Sequence, residues 1–179
     1  MLSWNCKGLG NPLVGAVLSH LVRANVPKVL FLMETKRTVD EMKTIQAELR
    51  YDNMLAIPCI HRASGLAMLW KEEITLHIQI YSQYHINAHI MIDPSNPWRL
   101  TSFYGRSEEH RRHKSWSYLR HLHTRDSLSW VCLGDFNEIL NSAEKQGRLP
   151  KPHRLMEAFH NALLHCGLID LGYRGNIFT

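Results

Sequence analysis

The stretch Lys28-Val29-Leu30-Phe31-Leu32-Met33-Glu34 sets the reading of this chain, because an unbroken apolar run ends on a carboxylate. A short run with no polar alternation reads as a strand buried on both faces, so Glu34 is delivered to the C-terminal end of a central strand. Two other stretches stop in the same way. Leu2-Ser3-Trp4 ends at Asn5, and Val131-Cys132-Leu133-Gly134 ends at Asp135 with Asn137 two residues on. Polar groups at the ends of neighbouring strands can line one rim of a sheet core. Two carboxylates with two amides suit a hard, oxygen-seeking cation such as Mg²⁺, which keeps several waters and takes only one or two protein carboxylates. Each residue alone also fits a plain structural role: Asn5 shaping a turn, Glu34 capping the next segment, Asp135 forming an Asx-turn with Asn137. Together they are much harder to dismiss.

Around these strand ends the pattern is mixed. After the Gly8-Leu9-Gly10 turn, Asn11 can cap a helix and Pro12 can occupy its first turn. Val14, Val17, Leu18, Leu21 and Val22 then predict one apolar helix stripe, which is core. A second helix is predicted over Thr38 to Leu49, burying Met42, Ile45 and Leu49. From Asn53 to Tyr104 short β-rich runs follow one another (Met54 to Ile57, Gly65 to Trp70, Ile74 to Ile80, His85 to Ile92, Arg99 to Tyr104) and read as an antiparallel meander. Ser107 can cap a helix to about Thr124, with Trp116, Leu119 and Leu122 inward and Arg111, Arg112, Lys114, Arg120 and Arg125 on or near the solvent side. A solvated basic face is the default reading of that helix; a nucleic-acid footprint on Arg111, Arg112 and Arg120 is the sharper one. A strand over Trp130 to Leu133, an amphipathic helix over Arg154 to Cys166 and a strand-like tail complete the chain.

Length and composition bound the possibilities. The 179 residues, 45% apolar, can bury one good core, predict a single domain over 1–179 and argue against disorder. A formal charge of +5, a pI near 9.1 and 12 histidines favour polyanionic partners. Cys6, Cys59, Cys132 and Cys166 form no paired Cys-x-x-Cys element, so buried reduced thiols and a reducing compartment, cytoplasm or nucleus, are expected. Neither a secretory leader nor a run long enough to span a bilayer is read, so no secretion and no membrane are expected.

Ser3-Trp4-Asn5-Cys6-Lys7-Gly8-Leu9, Leu32-Met33-Glu34-Thr35-Lys36, Gly65-Leu66-Ala67-Met68-Leu69-Trp70, Phe103-Tyr104-Gly105 and Gly134-Asp135-Phe136-Asn137-Glu138 together resemble the ordered motif series of endonuclease/exonuclease/phosphatase domains. The wording is similar to the version carried by LINE-type (non-LTR) retrotransposons of plants, and the resemblance extends over essentially the whole chain. It implies an α/β sandwich of two face-to-face β-sheets with helices outside, the second sheet incomplete. It also implies a Mg²⁺-dependent, Mn²⁺-tolerant endonuclease with DNA as substrate and a reverse transcriptase domain in the intact element. By residue, it implies Glu34 as main metal ligand with Asn5 organising the metal site, and Tyr104 at the scissile phosphate. Asp135 would orient the attacking water or assist the leaving oxygen, and Asn137 would donate to a non-bridging oxygen. Lys7 stands where the abasic-site repair branch has an acidic residue, which favours the retroelement version. The family's closing Ser-Asp-His is not met in these residues, so a domain lacking its C-terminal part, inactive or weakly active, is expected. Two rivals remain: a phosphatase or small-molecule phosphodiesterase on the same fold, and a basic nucleic-acid-binding remnant without turnover.

Overall fold

The computed structural model describes residues 1–59, 65–93, 95–146 and 150–172. The strand-like tail expected after Cys166 forms no strand over residues 167–172, and its remainder, 173–179, lies outside the described residues. The chain forms two compact units, one of residues 1–104 and 128–135, the other of 105–127 and 136–179.

The first unit holds eight strands in two sheets. Strands β1 (Leu2–Asn5), β2 (Val29–Met33), β3 (Asn53–Ile57) and β4 (Leu66–Trp70) form one sheet in the order β1-β2-β4-β3. Strands β5 (Thr75–Ser82), β6 (His85–Met91), β7 (Trp98–Tyr104) and β8 (Trp130–Asp135) form the other in sequence order. The predicted continuous meander is therefore divided. β4 inserts antiparallel between β2 and β3, while β5, β6 and β7 make an antiparallel run of their own. The side chains explain the division. β2 is buried at all five positions and β4 at its first four, as central strands must be, whereas β5 alternates between exposed and sheltered residues.

Period-two alternation sorts β2 between two cores. Val29, Phe31 and Met33 join Leu66, Met68, Ile86, Ala88, Ile90 and Leu100 between the sheets. Leu30 and Leu32 turn the other way, where Leu18 and Met42 pack against them. Leu18 belongs to α1 (Pro12–Asn25), whose Asn11 cap accepts from Leu13 N and whose first position is Pro12. Met42 belongs to α2 (Val39–Glu48), opened by a capping box of Thr38 and Glu41. The α1 stripe is narrower than expected: Val14, Leu18 and Val22 face the core, and Val17 is exposed.

In the second unit, α3 (Arg112–His123) and α4 (His153–His165) pack through Trp116 and Phe159, whose rings stack at 4.6 Å. Trp116, Leu119 and Leu122 are buried, as the sequence predicts. Ser107 does not cap a helix: a short 3₁₀ turn over Glu109–Arg111 precedes α3, and Arg111 stands at its N-terminus. Among the described residues no helix is long and apolar enough to cross a membrane.

Candidate functional site

Two parallel strand pairs build the site. β1 runs parallel to β2 with Asn5 opposite Met33, so Glu34 follows directly beside Asn5; β7 runs parallel to β8 with Tyr104 opposite Asp135. Both pairs therefore present their polar groups at their C-terminal ends.

The four side chains meet. Asn5 Nδ2 donates to Glu34 Oε1 at 2.9 Å and to Asp135 Oδ2 at 3.0 Å, holding the two carboxylates to one amide group. The Tyr104 hydroxyl donates to the same Glu34 Oε1 at 3.0 Å. Asn5 is itself oriented, since its Oδ1 accepts from Lys7 N at 3.2 Å, and the Asp135 amide faces Met33 Sδ at 3.2 Å.

Backbone constraint keeps Glu34 there. Its φ of +54° lies in the left-handed region, which is costly for a residue other than glycine and persists only where the surroundings enforce it. Hydrogen bonds on either side do so: Cys6 N to Met33 O and Leu9 N to Thr35 O, both 3.0 Å, and Thr35 N to Gly65 O at 3.1 Å. A Cβ on Gly65 would lie 2.6 Å from Thr35 Oγ1, so the motif glycine there is required for the close approach. Behind the site, burial pushes the Cys6 thiol up to about 12, so Cys6 is an inert packing group whose Sγ donates to Met33 O.

The donor set fits a hard divalent cation. Glu34 and Asp135 bring two carboxylates to one amide, with a phenol beside them, and oxygen ligands of this kind suit Mg²⁺ or Mn²⁺. Among the described residues no group of three or more histidine, cysteine, aspartate or glutamate side chains forms, so the carboxylate pair is the charged part of the set.

The remaining expected residues lie in the second unit. Asn137, at φ +55°, donates through Nδ2 to the Gly105 carbonyl at 2.7 Å. Arg111 is exposed and pairs with Glu108 at 3.6 Å, and Arg120 is half-buried. Arg112 is not on the solvent side. Its side chain is only 14% exposed, its Nη1 contacts Glu138 Oε2 at 3.2 Å and its Nη2 donates to Ser107 O. Glu138 is 1% exposed, and its other oxygen pairs with Lys151 at 2.7 Å. A helical-wheel reading assigns Arg112 by angle alone and cannot see a buried carboxylate 26 residues later. Sequence reasoning also passes over Lys36, whose Nζ lies 3.8 Å from Glu34 Oε2. Its position two residues after Glu34 is the available signal.

Comparison with known proteins gives the fold a context. An AP endonuclease from Leishmania major superposes with a TM-score of 0.69 at 18% identity, over 92% of this chain and 65% of its own. An AP endonuclease from Archaeoglobus fulgidus gives 0.62 at 14%, over 84% and 65%. A 3′ phosphatase from Neisseria, bound to a product DNA hairpin, gives 0.64 at 16%, over 92% and 70%. The chain thus spans just under two thirds of the length of the first two. No curated protein sequence matches it significantly. The family model described as endonuclease/exonuclease/phosphatase family matches residues 2–179, and the chain belongs to that family.

Proposed function

We propose that this chain is a Mg²⁺-dependent phosphodiesterase domain acting on DNA, of the kind that nicks a duplex for a non-LTR retrotransposon. The observation that carries the reading is the convergence of Asn5, Glu34, Tyr104 and Asp135 through three hydrogen bonds at the ends of two parallel strand pairs. Glu34, with Asn5 orienting it, would hold the cation, which would supply charge neutralisation at the phosphate. Tyr104 positions the scissile phosphate. Asp135 orients the attacking water or assists the leaving oxygen; as the new P–O bond forms and the ester P–O bond breaks, the proton the water loses passes to solvent and the departing oxygen takes one from solvent. Asn137, the phosphate-oxygen donor the resemblance implies, belongs to the second unit, where its Nδ2 donates to the Gly105 carbonyl. Fixed donors of this kind stabilise the transition state more than the ground state. Lys7, in place of the repair branch's acidic residue, supports the retroelement assignment over an abasic-site one.

The test is nicking of supercoiled plasmid with and without Mg²⁺, beside an abasic duplex and a soluble phosphomonoester. Mg²⁺-dependent nicking that Glu34→Gln abolishes supports the reading. Preference for the abasic duplex, or turnover of the monoester alone, moves the chain to the repair or phosphatase branch.

A further inference from the structure

The two oxygens of Glu34 are not equivalent. Oε1 accepts from both Asn5 Nδ2 and the Tyr104 hydroxyl, whereas Oε2 faces the Lys36 ammonium at 3.8 Å. The same ammonium lies 3.5 Å from the Lys7 carbonyl oxygen. It therefore stands between a carboxylate oxygen and a backbone carbonyl oxygen, the two kinds of ligand that a hard cation uses. The backbone enforces this placement. Lys36, like Glu34, has a left-handed conformation, with φ of +50°. Thr35 between them is buried and tied to Leu9 and Gly65 through its main chain. A Cβ on Gly8 would lie 3.4 Å from Lys36 Cδ, so the lysine stem runs close along the turn that follows β1. The Lys36 side chain is nonetheless 49% exposed, against 23% for Glu34, which leaves the ammonium able to swing out.

We propose that Lys36 is a built-in competitor for the cation site: its ammonium neutralises Glu34 Oε2 in the cation-free protein and is displaced when a divalent cation takes that oxygen, so that Lys36 sets the site's affinity. The proposal rests on Glu34 holding the cation, as above. A partly exposed ion pair is weak, and its removal should tighten cation binding only about 2–5-fold. The effect should shrink as added salt screens the pair.

The test is Mn²⁺ binding, read by electron paramagnetic resonance, in the full chain and in Lys36→Met, Lys36→Arg, Glu34→Gln and the Glu34→Gln/Lys36→Met double variant, with circular dichroism to establish folding. Methionine tolerates the left-handed backbone as well as lysine does, so Lys36→Met changes the charge and little else. The expected result is tighter binding in Lys36→Met and wild-type affinity in Lys36→Arg. Glu34→Gln should lose binding, with no gain from Lys36→Met in that background. Unchanged or weaker binding in Lys36→Met, with loss in Glu34→Gln, overturns the role of Lys36 alone. An equal gain in both backgrounds also overturns it, as a general charge effect. Mn²⁺ binding that Glu34→Gln leaves untouched overturns the cation site itself and this proposal with it.

Discussion

Glu34, Lys36 and Asn137 all have positive φ although none is glycine, and two of them flank the buried Thr35. The sequence shows the residue types at the strand ends because an apolar run visibly stops there; it shows nothing of this backbone, which is imposed by hydrogen bonds from segments about thirty residues away in either direction. The motif glycines are legible as glycines, but their reason is not. A Cβ on Gly134, at φ +141°, would sit 1.8 Å from the Phe103 carbonyl oxygen, so this glycine is what lets β8 lie against β7 just before Asp135. Gly134→Ala should therefore destabilise the fold by at least roughly 1–3 kcal/mol, the cost of a strained backbone without the clash. Urea unfolding measures this, and a stability equal to wild type would show that the strand can shift freely. Tyr104→Phe is a gentler test. Its hydroxyl donates to a carboxylate from a largely buried ring, so about 1–2 kcal/mol should be lost with the fold intact.

Strand existence is readable almost throughout, because periodicity and turn residues mark it, and the observed bounds differ from the expected ones by one or two residues. Sheet membership is not. Nothing local says that β4 pairs with β2 across more than thirty residues while β5 begins another sheet; that follows from which runs can be buried on both faces. Leu32, fully buried on the helix-covered side of β2, tests this arrangement. Leu32→Ala should cost about 2–5 kcal/mol, as for a well-packed core leucine, and a smaller loss would mean the helices pack loosely there. Helix starts are legible where a side chain caps the backbone, as at Asn11 and Thr38, and misleading at Ser107. There Arg112 takes the Ser107 carbonyl, and a 3₁₀ turn intervenes. The same Arg112 shares the buried Glu138 with Lys151. Removing one partner of a buried pair leaves charge uncompensated, so Glu138→Ala should cost up to roughly 3–5 kcal/mol, with Glu138→Gln milder. Thermal unfolding of the two variants checks the order.

The net charge of +5 is readable at once, but not which cations remain available to a polyanion. With Arg112 committed to Glu138, the phosphate-binding role expected of the basic helix rests on Arg111 and Arg120. Charge reversal at both should lower the salt slope of DNA binding by roughly 0.9 for each phosphate left without its cation. An unchanged slope in a salt titration would place the DNA-binding surface elsewhere. Stability as a whole should depend on pH through His85, which is buried in β6 and pushed down from 6.5 to about 4 by desolvation. Its folded pKa lies below its unfolded value, so its contribution is complete above pH 6.5 and is lost as the pH falls from 6.5 toward 4, to the extent of about 3 kcal/mol. In His85→Gln the difference in urea stability between about pH 7.5 and about pH 4.5 should be smaller than in wild type. The rim where Asn5, Glu34, Tyr104 and Asp135 meet is tested most directly by adding Mn²⁺ to ¹⁵N-labelled protein and recording which signals its unpaired electrons broaden. The side-chain amide of Asn5 and the backbone amides of Glu34 and Asp135 should vanish first, and should persist in Glu34→Gln. Broadening centred anywhere else, or the same pattern in Glu34→Gln, would contradict a cation site at these strand ends.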